Sequence, residues 1–144
     1  MMGKPLQVGY FFSSEMRAKI NEIKKDYDAI IFHLIRSGEF LPKNYEGIKI
    51  LEMTDLISKN YSQLYKKLNF INPLKYLYLI EQVLLEKYEK KIAESFDRIV
   101  LVSKRDGKYF SIGSKVKKRV QIISNGTDIK KKKYNFKKNN KDII

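Results

Sequence analysis

Four short apolar runs constrain this chain more than any other feature. They are Asp28–His33 (DAIIFH), Gly47–Met53 (GIKILEM), Asp97–Val102 (DRIVLV) and Val120–Ile123 (VQII). The first is continuous in its apolar character, as a strand buried on both faces is, and the others are strand candidates of similar length. Between them the periodicity changes. Ser13-Ser14 followed by Met16, Ile20 and Ile23 predicts a helix, with Ser13 placed to accept a first-turn N–H. Ser58–Leu68 and Pro73–Phe96 predict two more; in the second, Leu77, Ile80, Leu84, Tyr88 and Ile92 recur at helical spacing behind a first-turn proline. Ser103–Phe110 predicts a short helix entered from a serine cap. Strands alternating with helices imply βαβ units, hence an α/β fold with a parallel sheet, right-handed crossovers and covering helices.

Ligands of such sheets collect at the carboxyl ends of the strands. Four stretches of sequence fall there: His33 to Arg36, Glu52 to Ser58, Ser103 to Asp106, and the turn Ser124–Asp128. His33 and Arg36 could hold a hydroxyl-rich or phosphorylated ligand, or be a capping histidine and a surface arginine. Asp55 could accept hydrogen bonds from sugar hydroxyls, or cap the helix near Ser58. Asn125-Gly126 is a turn signal, since both residue types tolerate positive φ.

What is missing narrows the chemistry. With 144 residues the chain predicts one domain, large enough to bury a core without staples. It has no cysteine, so disulfides, thiolate–zinc sites and a cysteine nucleophile are excluded. A single histidine excludes a two-histidine metal site within the chain. None of the glycine-rich phosphate loops and no nucleophile elbow occurs in it. No metal and no cofactor is expected. Neither a membrane span nor a secretory leader is evident, and a reducing cytoplasm is the expected compartment.

The net charge of +14 invites a polyanionic partner. It is unevenly spread: residues 1–114 carry 19 basic and 14 acidic side chains, residues 115–144 carry 11 and 2. The excess therefore belongs mostly to residues 115–144, whose lysine runs at 130–133 and 137–141 predict a solvated linker or, alternatively, part of a nucleic-acid contact. The segment Tyr61–Tyr78 sets Tyr61, Tyr65, Phe70, Tyr76 and Tyr78 among Lys66, Lys67 and Lys75. Three environments suit it: a protein core, an anionic membrane interface, or unpaired bases.

Taken in order, YDAIIFHLIR, ILEMTDLISKNYSQL, LIEQVLLEKYEKKIAESFDRIVLVSKRD and VQIISNGTD resemble family-4 glycosyltransferases of the GT-B fold, closest to those of bacterial polysaccharide loci. The likeness covers about residues 5 to 128 and lies in the ordered set rather than in any single piece. It implies the later part of an N-terminal, acceptor-side Rossmann-like domain over 1–128, without that domain's opening strand and glycine-rich loop, followed by a lysine-rich interdomain linker over 129–144. It implies sugar transfer from a nucleotide-sugar donor to a glycan or lipid-linked acceptor, with a separate C-terminal domain binding the donor, so that this chain alone is inactive. Peripheral attachment to an anionic inner-membrane surface would be compatible, and so would self-association through an exposed sheet edge. By resemblance Asp55 faces the cleft, Asn125, Gly126 and Asp128 lie on its NG-x-D turn, and Ser103 and Asp106 match a VS-x-x-D segment beside it. His33 ends a cleft-facing strand without a firm family counterpart. Leu79 stands where relatives often have arginine, so the resemblance does not carry an ionic role over to that turn. The rival class is a small basic nucleic-acid-binding protein.

Overall fold

The computed structural model describes residues 3–126. Its four strands are β1 (Ala29–His33), β2 (Ile48–Met53), β3 (Arg98–Leu101) and β4 (Val120–Ile122), all parallel and ordered β1-β2-β3-β4 across one sheet. The helices are α1 (Leu6–Tyr10), α2 (Ser14–Ile23), α3 (Ile57–Lys67), α4 (Pro73–Ala93) and α5 (Lys104–Ser111). Every strand and helix expected from the sequence is present with shifts of a few residues at its ends. Only α1 and three short 3-10 turns (Lys24–Asp26, Ile35–Phe40 and Lys117–Arg119) had no sequence signal.

The helix entries follow from local chemistry. Ser13 Oγ accepts the Met16 N–H at 3.1 Å, Asn72 Oδ1 accepts the Leu74 N–H at 2.9 Å ahead of Pro73, and Ser103 Oγ accepts the Asp106 N–H at 3.4 Å. Two entries are capped from a distance instead. Both carboxylate oxygens of Glu81 lie 3.0 Å from the Leu6 N–H at the start of α1. Glu89 takes the Ser58 N–H at 2.9 Å and the Ser58 hydroxyl at 2.6 Å at the start of α3. Two glutamates of α4 thus do what Pro5 and Leu56, at the cap positions, cannot do with their own side chains.

A strand order that never reverses, with right-handed crossovers, puts every connection on the same side of the sheet. The burial pattern agrees. Phe32, Leu51, Met53, Ile99 and Leu101 share one face and are buried, together with Leu56, Phe96, Phe110 and Val116 around them. The opposite face carries Ile31, His33, Ile48, Glu52, Arg98 and Gln121, all exposed or half-exposed. Burial of the first strand on both faces, the expectation from its continuous apolar run, therefore holds for one face only. Gly107 lets α5 seat directly on β4, because a Cβ there would collide with the Ile122 side chain. Among the described residues no helix is long and apolar enough to cross a membrane.

Candidate functional site

The carboxyl ends of β1 and β2 open into a groove of about 390 Å³, lined by Gln7, Leu34, Arg36, Asp55, Ile57, Asn60, Tyr61, Leu64 and Tyr78. Its floor is the peptide after β1. Leu34 has φ 67° and ψ 148°, and it is the one non-glycine residue with positive φ among those described. That region of backbone space is close to glycine-only, and a leucine held there stores strain that surrounding bonds must offset. They are present: the Leu34 N–H donates to the Glu52 carbonyl at 2.8 Å, and the Ser37 hydroxyl lies 2.7 Å from both the His33 and Leu34 carbonyls. The strain turns the chain sharply at the strand end and brings Arg36 to the groove wall. There the Arg36 guanidinium lies 4.2 Å over the Phe11 ring, an arrangement that fixes its plane while leaving its N–H edges available.

Opposite stands Asp55, whose carboxylate accepts from the Asn60 amide one turn into α3. Asp55 is thus not the cap of α3; Glu89 has that role. The Gln7 amide donates to the Tyr61 hydroxyl at 2.9 Å, and Tyr61 meets Tyr78 edge to face at 5.4 Å. The groove therefore offers a cation, a carboxylate, two amides and aromatic faces, without a hydrophobic pit. Such a lining suits a hydroxyl-rich ligand that is hydrogen-bonded from its edge and stacked on its apolar face.

His33 projects from the uncovered face of the sheet and pairs through Nδ1 with the carboxylate of Glu52, its register partner on β2. An ionised carboxylate can only accept, so Nδ1 is the donor of this pair and Nε2 is the ring nitrogen left to meet a ligand. The remaining sequence-predicted residues fall elsewhere. Ser103 is the cap of α5, and Asp106, one turn on and buried, pairs with Lys59 at 3.1 Å. Ser103 thus caps through its hydroxyl alone, and the Asp106 carboxylate is held by Lys59. Asn125 and Gly126 are exposed just past β4, whose end is tied by the Ser124 hydroxyl to the Val102 carbonyl at 3.2 Å. Asp128 and the lysine-rich 129–144 lie outside the described residues.

The structure brings Arg36 and Asp55 to one groove and sets His33 one residue from its floor. Sequence reasoning missed Gln7, Leu34 and Asn60 as lining. Asn60, five residues past Asp55, could have been found as the nearest amide on the following helix. Leu34 could not, because nothing in a leucine announces a glycine-like backbone. The buried Glu89 is a different kind of group: burial pushes its carboxyl up to about 7, against the hydrogen bonds from Ser58. Its two hydrogen bonds from Ser58 give it the role of capping α3.

Comparison with protein-family models, with curated proteins and with solved structures returned no match.

Proposed function

We propose that this α/β domain is the acceptor-side part of a GT-B glycosyltransferase, receiving a glycan or lipid-linked sugar acceptor in the groove at the carboxyl ends of β1 and β2. The observation that carries this reading is the strained Leu34 turn, which brings Arg36 into one groove with Asp55 and Asn60 at the carboxyl ends of β1 and β2. Arg36, Asp55 and Asn60 would orient acceptor hydroxyls, Tyr61 and Tyr78 would stack on a sugar face, and His33, steadied by Glu52, would stand beside the reacting hydroxyl. The donor diphosphate needs strong positive stabilisation as it leaves. The chain has no glycine-rich phosphate loop, so that stabilisation falls to a second, donor-binding domain.

The test is a titration of the isotope-labelled chain, followed by amide shifts, with a panel of oligosaccharide and lipid-linked acceptors and with UDP- and GDP-sugars. Acceptors are expected to shift Gln7, Arg36, Asp55 and Asn60, and Arg36→Ala should abolish the effect. No sugar should be transferred by the chain alone. Turnover by the isolated chain would overturn the division between two domains, and a panel without any shift in the groove would overturn the acceptor reading. Binding of DNA or RNA that falls steeply with salt and requires both residues 61–78 and 129–144 would favour the nucleic-acid alternative.

A further inference from the structure

The hairpin formed by α3 and α4 leaves its tip bare. Phe70 and Ile71, in the turn between the helices, are 70% and 74% exposed. The exposure continues into the first two turns of α4, where Leu74, Tyr76, Leu77 and Ile80 are between 40% and 57% exposed. From Pro73 to Ile80 the only charged side chain is Lys75, and its ammonium is turned back onto the Leu68 carbonyl at 3.0 Å. The first half of α4 is thus apolar on its outward side as well as its inward side, which in water calls for a cover. None of the five aromatic residues of the Tyr61–Tyr78 segment is buried, so the core environment does not account for them.

The charge around this surface identifies the cover. From residue 56 to residue 80 the chain has four lysines and no carboxylate. Lys66 and Lys67, both exposed, close α3 immediately before the apolar tip. A second copy of this chain, itself carrying +14, would bring further positive charge to the tip; a strip of one sign flanking protruding aromatic and aliphatic side chains matches a bilayer with anionic headgroups. We infer that the α3–α4 tip docks on an anionic lipid surface, with Phe70, Ile71 and Leu74 entering the interface and Lys66 and Lys67 meeting the headgroups. The attachment lies on the membrane and does not span it. It uses no residue of the acceptor groove except through their shared helices, and it stands whether or not the chain serves sugar transfer.

The chain contains no tryptophan, so Phe70→Trp in the full chain creates a single reporter at the tip. With phosphatidylcholine vesicles containing phosphatidylglycerol its emission should shift to the blue and be quenched by brominated acyl chains; with phosphatidylcholine alone neither should occur. In co-sedimentation, replacing Lys66 and Lys67 together by Gln should weaken binding to the anionic vesicles roughly 30-fold. Replacing Phe70 and Ile71 together by Ser should weaken it by about tenfold or more. Co-sedimentation with the tryptophan emission unchanged would mean that the lysine-rich 129–144 alone holds the vesicle, and would overturn the inference. So would a blue shift that appears without lipid and grows with protein concentration alongside the light-scattering mass, which would make a second copy the cover. Failure to bind anionic vesicles at all would overturn it outright.

Discussion

Ile31 and Phe32 are neighbours in β1, both large and apolar, yet one is 65% exposed and the other 4%. The same division runs across the sheet. On one face Leu51, Met53, Ile99 and Leu101 are fully enclosed; on the other the register row Ile31, Ile50 and Arg98 faces outward. Side chains alternate along each strand, but alternation alone does not decide which side receives the core. The 1-2-3-4 order does, by sending every crossover to the same side. Stability in this domain is therefore a property of one face, while the other face and the carboxyl-end rim are where residues have been left free for other uses.

The sharpest way to break that comparison is to truncate the closed face. Phe96 is wholly buried and meets Phe32 edge to face at 5.7 Å. Phe96→Ala should cost about 3–5 kcal/mol in chemical denaturation, enough to leave a marginal domain unfolded. Ile31→Ala, on the open face of the same sheet, should stay within about 1 kcal/mol of the parent. Similar losses for the two variants would mean that both faces are covered in solution.

Next in size is the approach to β2. A Cβ on Gly47 would collide with the Tyr45 hydroxyl and the Asp28 carbonyl, breaking the Tyr45 hydroxyl's 2.8 Å bond to the Tyr27 carbonyl. Gly47→Ala should cost about 2 kcal/mol, whereas Gly9→Ala, in open space on α1, should be neutral or slightly stabilising. Thermal melts of the two variants check this directly.

Glu89 adds an effect that depends on pH. Its carboxyl titrates near 7 in the folded chain, above the ordinary 4.5. Between those values the folded state keeps a proton that the unfolded state has lost, so this group's contribution is full at the acid end and is lost as pH rises through about 7. Urea midpoints should fall across that window by an amount that Glu89→Gln removes. The variant should equal or exceed the parent at pH 8, since the amide still accepts from Ser58 without a buried charge. A parent whose stability rises from pH 5 to pH 7 with a slope that Glu89→Gln leaves intact would contradict this.

The elements were legible in the sequence because their signals are local: apolar runs for strands, Ser13 and Ser103 for caps, Asn72-Pro73 for the entry to α4. What was not legible depends on where distant segments meet. Glu81 and Glu89 look like ordinary helix glutamates eight residues apart, and only the fold shows them capping α1 and α3. The one-sided cover of β1 has no mark in AIIFH, because a run that suits burial on both faces is equally compatible with one. In the groove, Arg36 and Asp55 were found from their position after strands, whereas Gln7 arrives from α1, which had no periodic signal at all. Ser103 and Asp106 show the converse: a cap spacing and a ligand spacing look the same until Lys59 is seen against the carboxylate.

The smallest stability effect belongs to Leu34, and it is the most informative about the rim. Leu51→Gly on the closed face removes a fully buried side chain and should cost upward of about 3 kcal/mol, from the cavity and the added chain entropy together. Leu34→Gly removes a half-buried side chain but also relieves a backbone at φ 67°, worth about 1–3 kcal/mol. The gain and the loss nearly cancel, so the variant should melt within a few degrees of the parent. Its groove should nevertheless behave differently. A glycine can leave the turn that a strained leucine is locked into, Arg36 then loses its fixed place over Phe11, and acceptor-induced shifts at Asp55 and Asn60 should weaken with the fold intact. If Leu34→Gly were as damaging as Leu51→Gly, the turn would be part of the core's packing, and the strain would say nothing about what the groove is for.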